Sequence, residues 1–225
     1  ARERGAVAHV DAVQAAGKIP ISLKDSAIDL LSISAHKFHG PKGAGALYVR
    51  RGARLRPYLL GGHQERNRRA GTENVAGIIG MGAAAEAARA GLEDRMERTR
   101  ALRDRLEAGA LARIPHTRVN AAGAPRLPNT ANLAFRYVQG ESVLLALDEF
   151  GVCASTGSAC TTGQVEPSHV LTAMQVPFTY LQGSVRFSLS RLTTESEVDR
   201  LLEILPGVIK RLRAQSPYVN SEEIP

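Results

Sequence analysis

Short apolar runs separated by polar turns dominate the first third of the chain. The runs at 7–11, 28–34 and 45–49 have the length and the aliphatic, β-branched content of buried strands. An alanine-rich stretch follows a long polar loop, and it predicts a helix over 75–91. Strands joined by turns and short helices predict an α/β layered domain.

A change of pattern at Leu92 predicts a second, smaller domain. Apolar residues recur through 92–111 with Arg and Glu between them, which indicates an amphipathic helix with a solvated charged face. Beyond a loop-rich stretch at 113–126, strand-like and helix-like runs alternate. They predict a strand at 130–135, a helix at 141–150, a strand at 183–190 and a helix at 195–212. We therefore expect a domain at 1–91 and a smaller α+β domain at 92–225.

The composition is that of an ordinary globular protein, with 44% of the 225 residues hydrophobic and 23% charged. No apolar run is long enough for a membrane span and no signal-peptide pattern opens the chain, so we expect a cytoplasmic protein without a membrane partner. Two cysteines do not form a disulfide framework, which fits a reducing compartment. We predict no metal site.

The formal net charge of +7 raises the question of nucleic-acid binding. Only 4% of the residues are aromatic, none is Trp, and the arginines are spread along the chain. These features argue against a nucleic-acid partner. The positive charge also suits a phosphate-bearing cofactor and a carboxylate substrate.

Lys37 is the first candidate for chemistry. It follows the strand-like run at 28–34, has His36 and His39 beside it, and precedes a Gly-Pro-Lys-Gly turn. Partial desolvation disfavours an ammonium, and a neutral amine can form a Schiff base with an aldehyde such as pyridoxal phosphate. The alternative is a solvated lysine in a turn.

Polar residues that could hold a ligand lie near two other predicted element ends. Asp11 ends the first strand, where it could pair with a cationic ring nitrogen within reach of Gln14, or could instead cap a helix. Thr72 or Asn74 begins the helix at 75–91, where a helix N-terminus near arginines could bind phosphate. An ordinary capped surface helix is the alternative there.

Three further residues are candidates in the second domain. Cys160 lies among Gly, Ser, Ala and Thr, and such a segment could present a mobile nucleophile or merely a free surface thiol. Cys153, at the start of a predicted short strand, is more typical of a small buried residue. Arg186, in the middle of the strand at 183–190, needs a carboxylate partner, which could be a ligand or an internal ion pair.

The order of these motifs closely resembles the cysteine desulfurases of the NifS/IscS type, over essentially the whole chain. These are pyridoxal-phosphate enzymes with the class V aminotransferase fold. The segments that carry the resemblance are Asp11-Ala12-Val13-Gln14, Ser34-Ala35-His36-Lys37-Phe38-His39-Gly40-Pro41-Lys42-Gly43, Arg69-Ala70-Gly71-Thr72-Glu73-Asn74, Gly157-Ser158-Ala159-Cys160 and Val185-Arg186-Phe187-Ser188. The third segment and the loop around Cys160 look more like the NifS branch.

The resemblance implies a role for each matched residue in binding the cofactor. Lys37 would carry pyridoxal phosphate covalently, Asp11 would keep the ring nitrogen protonated, and Gln14 would hydrogen-bond the phenolic oxygen of the ring. The segment 34–36 would also bind the cofactor, with Ser34 and His36 on the phosphate and Ala35 between them. Thr72 would reach the phosphate of a neighbouring subunit, which implies a homodimer.

The resemblance also implies the reaction. Arg186 would bind the carboxylate of L-cysteine, and Cys160 would take its sulfur as a persulfide, leaving L-alanine. An iron-sulfur scaffold protein, or another sulfur acceptor, would then receive the sulfur. The alternatives are a selenocysteine lyase or cysteine-sulfinate desulfinase of the same fold, and a non-catalytic fragment that docks on a scaffold.

The chain differs from that family in length. Members are much longer than 225 residues, and their N-terminal half supplies a histidine that stacks on the cofactor, a phosphate-binding loop and an asparagine near the ring. The start at Ala1, without Met, reads like the end of a helix at Gly5. We therefore expect a C-terminal half that is inactive, and does not hold cofactor tightly, in isolation.

Overall fold

The computed structural model describes residues 1–157 and 168–216. Contacts along the chain group into two compact units, Ala1–Met96 and Glu97–Pro225. The division between them falls inside one long helix, and the domain boundary at 91/92 stays a prediction. No single described helix is both long and apolar enough to cross a membrane; the two helices at 75–113 pass that test only as a pair, which is bent by 73°.

The first unit contains a three-stranded sheet with the order β1-β2-β3. Its strands are β1 (His9–Asp11), β2 (Leu30–Ser34) and β3 (Gly45–Val49). β1 runs parallel to β2, whereas β3 runs antiparallel to it. All three predicted strands are present, but the expected burial of the first is wrong. His9, Val10 and Asp11 are exposed, because the other described elements leave the side chains of this strand uncovered.

Two helices follow this sheet. The short α1 (Gln64–Asn67) interrupts the polar loop, and α2 (Val75–Arg89) confirms the helix predicted over 75–91 to within two residues. Asn74 begins α2 as its cap, because its side chain accepts a hydrogen bond of 3.0 Å from the Gly77 N–H. This contact decides between the two possible caps, so Thr72 is left with its side chain outside the helix start.

The second unit is built on an antiparallel sheet with the order β4-β5-β6. The elements of this part of the chain are α3 (Leu92–Arg113), β4 (Thr117–Val119), β5 (Thr130–Phe135), α4 (Gly140–Asp148), α5 (His169–Ala173), α6 (Phe178–Leu181), β6 (Ser184–Ser188) and α7 (Glu195–Ala214). The four elements predicted beyond α3 are confirmed. β4, α5 and α6, each of five residues or fewer, have no counterpart in the sequence pattern.

The two faces of this second sheet differ sharply. Ala131, Leu133 and Phe135 of β5 and Val185 and Phe187 of β6 belong to one buried apolar cluster, which also includes residues of α3, α4 and α7. Because side chains alternate along a strand, the opposite face carries the remaining, mostly polar positions. One face of the sheet therefore packs in the apolar core, and the other face carries polar side chains that can bind a ligand.

The expectation of a solvated charged face on α3 is wrong at two positions. Glu107 is only 8% exposed, and its two oxygens accept hydrogen bonds of 2.6 and 2.9 Å from Arg126. Arg103 is 7% exposed and donates to the Leu127 carbonyl at 2.9 Å. The loop after β4 supplies these partners, and hydrogen-bonded charges are tolerated in the interior.

Candidate functional site

The carboxyl ends of β1 and β2 lie side by side because these strands are parallel. Asp11 ends β1 opposite Ser32, and Ser34 ends β2 two residues further on. Since side chains alternate along a strand, Asp11, Ser32 and Ser34 project from the same face of the sheet. This edge is the place where open α/β sheets bind their ligands.

A single 3₁₀ turn, Ala35–Phe38, carries Lys37 beyond the end of β2. Residues three apart in a 3₁₀ turn share a face, and Ala35 and Phe38 are 0% and 5% exposed. Both pack in a small apolar cluster with α2 residues such as Ala84. His36 and Lys37 lie on the other side of the turn, with His36 exposed and Lys37 half-buried. The turn is therefore anchored while its amine stays accessible.

Two glycines allow this turn to pack so closely. A Cβ atom on Gly17, whose φ is +72°, would lie 2.8 Å from the Phe38 Cβ. A Cβ on Gly40 would lie 2.9 Å from the Ala35 Cβ and 3.1 Å from the Ala84 Cβ. Real Cβ atoms essentially never lie closer than 3.0 Å to another heavy atom of this kind. Glycine at both positions thus brings the turn after β1, the Lys37 turn and α2 together.

The polar side chains around Lys37 are partly paired with one another. The Ser34 hydroxyl and His36 Nδ1 are hydrogen-bonded at 2.9 Å. Asp11 Oδ1 accepts a hydrogen bond of 2.9 Å from the Val13 N–H, which closes a turn after β1. No helix begins there in the described structure, so the helix-cap alternative is wrong. Asp11 Oδ2 has no hydrogen-bond partner within residues 1–157 and 168–216, which leaves an acceptor for a ligand.

Lys18 is a member of this site that the sequence interpretation missed. Its Nζ donates to the Gln14 carbonyl at 2.9 Å and to Gln14 Oε1 at 3.2 Å. Burial, and then the positive charge of Lys37, lower the pKa of Lys18 below its usual value. Because an ammonium can only donate, Oε1 of Gln14 is engaged as an acceptor and its NH₂ group is left to donate to a ligand. The spacing of four residues between Gln14 and Lys18 was the available signal.

These groups fit pyridoxal phosphate in kind. Lys37 offers an amine for an aldehyde and Asp11 a carboxylate for a ring nitrogen. Ser34 and His36 offer polar groups for a phosphate, and Gln14 offers a donor for a ring oxygen. They do not resemble a metal site, since no three His, Cys, Asp or Glu side chains cluster suitably in the described parts of the chain.

Arg186 lies on the polar face of the second sheet. It faces Asn132 of β5, and it exchanges two backbone hydrogen bonds with Ser155, which precedes the segment of Cys160. Its Nε atom is buried and has no hydrogen-bond partner, and no ion pair involves it among the residues that the structure describes. The interpretation as an internal ion pair is therefore not supported, and a buried donor remains for an acceptor from outside.

The remaining candidates are placed as follows. Thr72 is exposed in the loop before α2, next to Gly71, whose N–H donates to Gln64 Oε1 at 3.0 Å. Cys153 is exposed and lies in no strand, so the expectation of a small buried residue is wrong. The only β-pairing of the described chain near it is the bridge at Ser155. Cys160 lies outside the described residues.

Comparison with known proteins gives a consistent result. The chain matches the aminotransferase class-V family over residues 1–201. It is 59% identical over 221 residues to a cysteine desulfurase of Trichormus azollae, covering 98% of this chain and 55% of that protein. It is 56% identical over 218 residues to the cysteine desulfurase NifS of Azotobacter vinelandii, covering 97% and 54%.

Solved structures agree with these relatives. The X-ray structure of a NifS-like protein from Rickettsia africae superposes with a TM-score of 0.83 at 30% sequence identity. The match covers 92% of this chain and 54% of that one. The chain thus spans about half the length of the relatives that it matches.

Proposed function

This chain belongs to the aminotransferase class-V family, and from that premise we propose that it is the lysine- and cysteine-bearing part of a pyridoxal-phosphate-dependent cysteine desulfurase. The observation that carries the proposal is the half-buried Lys37 at the carboxyl end of the β1–β2 pair, on a turn fixed by Ala35 and Phe38. The identity to named cysteine desulfurases supports it.

The residues around Lys37 would hold the cofactor. Lys37 would bind it covalently, Asp11 would pair with its ring nitrogen, and Gln14 would donate to its ring oxygen. Ser34 and His36, flanking Ala35, would bind its phosphate, and Thr72 would do so from the second subunit of a homodimer. When bound, pyridoxal phosphate supplies an electron sink for the charge that develops at the substrate Cα.

The protein residues then perform three tasks. Arg186 binds and orients the carboxylate of L-cysteine. The Lys37 amine removes the Cα proton as a general base. The Cys160 thiolate attacks the substrate sulfur, so that the carbon–sulfur bond breaks and a sulfur–sulfur bond forms. The substrate Cβ gains a proton, and L-alanine leaves. The enzyme sulfur is oxidised while that carbon is reduced, so the step needs no outside redox partner.

The chain itself limits how far Cys160 can be from this carboxylate. Ser155 pairs with Arg186 by two backbone hydrogen bonds, and Cys160 is five positions further along the chain. Five residues span at most about 18 Å even when fully extended.

The persulfide on Cys160 would next pass its outer sulfur to an acceptor thiol. A scaffold protein of iron-sulfur cluster assembly is the acceptor that we favour, because one of the relatives is the cysteine desulfurase named NifS. A cytoplasmic, reducing setting suits the thiol chemistry of Cys160.

The test uses the full-length protein that contains this chain, because the isolated chain is expected to be inactive. That protein is loaded with pyridoxal phosphate and treated with L-cysteine, and the modification is mapped by mass spectrometry. We expect one added sulfur atom on Cys160 and the formation of L-alanine. Cys160→Ser should abolish both while leaving borohydride-trapped cofactor on Lys37. Lys37→Ala should remove the attachment site itself. Cys153→Ser is the matched control and should behave like the wild type.

Two results would contradict the proposal. One is L-alanine formation that persists in Cys160→Ser, and the other is cofactor trapped on a lysine other than Lys37. Faster turnover of selenocysteine or cysteine sulfinate than of L-cysteine would reassign the substrate within the same fold.

A further inference from the structure

Four polar residues lie on neighbouring strands across the polar face of the second sheet. The Asn120 N–H donates to the Asn132 carbonyl at 2.9 Å, which continues the β4–β5 pairing by one residue. Asn132 faces Arg186 across β5 and β6, and Arg186 is bridged to Ser155. Directly opposed residues of antiparallel strands have Cβ atoms about 5 Å apart on one face. Asn132 and Arg186 therefore present their side chains to the same space.

A chain of hydrogen bonds fixes which way the amides of this row point. It begins at the Tyr180 carbonyl, which accepts a hydrogen bond of 3.2 Å from the Ser184 hydroxyl. Since that hydroxyl hydrogen is engaged, the Ser184 oxygen can only accept, and Asn120 Nδ2 donates to it at 3.3 Å. A flipped Asn120 would instead bury its NH₂ group at the position of Oδ1, which has no partner among the described residues, and would leave two donor hydrogens unpaired there.

The orientation of Asn120 then sets that of Asn132. Asn120 is 2% exposed, and its Nδ2 also donates to Asn132 Oδ1 at 2.6 Å. With Oδ1 engaged as an acceptor, the NH₂ group of Asn132 is its remaining polar group, and it is a donor. It has no partner among the residues that the structure describes.

Two donors without acceptors thus lie next to each other. One is the Asn132 NH₂ group, and the other is the Arg186 guanidinium, whose buried Nε lacks a partner within residues 1–157 and 168–216. A buried donor without a partner costs free energy, so a ligand that supplies acceptors is favoured. A carboxylate has two acceptor oxygens and the charge that complements arginine.

We infer that Asn132 is a second binding residue for the substrate carboxylate, beside Arg186, and that Asn120 and Ser184 are the positioning residues that make its amide a donor. This inference rests on the proposed function and deepens it, because it identifies a side chain that recognises the carboxylate end of the amino acid. The donor arrangement selects an α-carboxylate over a neutral amide.

The test measures ligand binding by NMR in the intact chain, without cofactor or turnover. The probe is L-alanine, and L-alaninamide, which lacks the carboxylate, is the control ligand. Titration with L-alanine should shift the Arg186 Nε–Hε and Asn132 side-chain NH₂ signals with a single saturation curve. L-alaninamide should shift neither of them.

Substitutions separate the binding residue from its supports. Asn132→Ala should weaken L-alanine binding about tenfold, the loss of one hydrogen bond to a charged group. Asn132→Asp keeps the shape but brings a negative charge, and it should weaken binding further. Asn120→Ala and Ser184→Ala should weaken it less and should broaden or shift the Asn132 NH₂ signals. Ser188→Ala, an exposed position on the same face of β6, is the matched control and should change neither readout.

Each result has one reading. If Asn132→Ala binds L-alanine as the wild type does while Arg186→Ala does not bind it, the inference is wrong and the proposed role of Arg186 stands. If Arg186→Ala also binds normally, the carboxylate-binding part of the proposed function fails. Thermal melts identify any variant that unfolds, and Asn132→Asp, the closest in shape, then provides the comparison.

Discussion

At the scale of single residues, Lys18 shows how a neighbour can decide what a site residue does. Its ammonium holds the carbonyl and Oε1 of Gln14, so the Gln14 amide can only donate outward. The pKa of Lys18 is lowered by burial and by the charge of Lys37, which places two cations at one edge of the sheet. Anionic ligands are favoured at such an edge.

Substitution of Lys18 tests this arrangement. We expect Lys18→Met to weaken binding of pyridoxal phosphate by about fivefold, the loss of part of one hydrogen bond and of a nearby charge. Lys18→Arg keeps a cationic donor and should restore most of the affinity. Absorbance titration measures the affinity, and the side-chain NH₂ signals of Gln14 report its order by NMR. Equal affinity and unchanged Gln14 signals in Lys18→Met would show that Lys18 only closes the local turn.

The sequence was sufficient for residues whose positions follow from strand ends. Asp11, Ser34 and Lys37 lie at or just beyond such ends, and an apolar run locates them. Lys18 and Asn120 could not be identified in this way, because their importance depends on which side-chain atom a neighbour leaves unpaired. The hydrogen bonds that leave those atoms unpaired form only in the folded turn after β1 and beside the folded strand β4.

At the scale of elements, the close approach of α2 to the Lys37 turn gives a measurable effect. Gly40→Ala would place a Cβ atom 2.9 Å from the Ala35 Cβ and 3.1 Å from the Ala84 Cβ. Overpacking of this kind costs about 2 kcal/mol. We expect the free energy of unfolding to fall by that amount and the pyridoxal phosphate affinity to fall with it, because the turn must shift.

Gly82→Ala is the matched control for this substitution. Gly82 lies within α2, and a Cβ atom there would have no heavy atom within 4 Å. Alanine in a helix interior is more favourable than glycine by about 1 kcal/mol. Chemical denaturation should therefore show opposite signs for the two variants. Equal effects would mean that Gly40 does not mediate the contact between the turn and α2.

The start of α7 gives a pH dependence. Thr194 and Glu197 form a capping box, in which the Thr194 N–H donates to Glu197 at 2.7 Å. This backbone hydrogen bond, and then the one from the Thr194 hydroxyl, lower the pKa of Glu197 from its usual value of 4.5. The stabilisation is therefore present above pH 4.5 and is lost as the pH falls through the lower pKa of the folded state.

Comparison of two variants isolates this contribution. Glu197→Ala should be less stable than the wild type near neutral pH, and the difference should shrink as the pH falls below about 4.5. Glu203→Ala, at an exposed position of the same helix outside the cap, should show no such change with pH. Thermal melts from pH 3 to 7 make the measurement. A difference for Glu197→Ala that is constant with pH would contradict the assignment.

Helices and strands were predicted correctly where the pattern of apolar and polar residues extended over at least six positions. β5 and α7 carry clear periodicity over six and twenty residues. β4 has only three residues and follows Pro115 and His116, the latter with a φ of +51°, so no strand pattern precedes it. The buried charges of α3 were also hidden, because periodicity places Glu107 on the helix but does not show that Arg126 covers it.

At the scale of the whole molecule, the two units differ in the size of their apolar cores. The large cluster of the second unit contains twenty buried residues among those described, whereas the cluster beneath Lys37 contains three. Since buried apolar area is the main stabilising contribution, the second unit should be the more stable of the two.

Hydrogen exchange with increasing denaturant tests this difference. We expect the amides of β5, β6 and α7 to keep their protection at denaturant concentrations where those of β1 and β2 already exchange freely. Binding of pyridoxal phosphate at Lys37 should raise the protection of the first unit selectively. One common free energy of opening for all these strands would show that the chain unfolds as a single cooperative body.

The exposed strand β1 has a practical consequence for anyone handling this polypeptide. Among the strands that the structure describes, His9–Asp11 pairs only with β2, so its outer row of peptide groups can pair with a further strand. Preparations should accordingly become turbid or form larger species as they are concentrated. Light scattering across a dilution series should precede each spectroscopic measurement, and Val10→Lys should reduce the association.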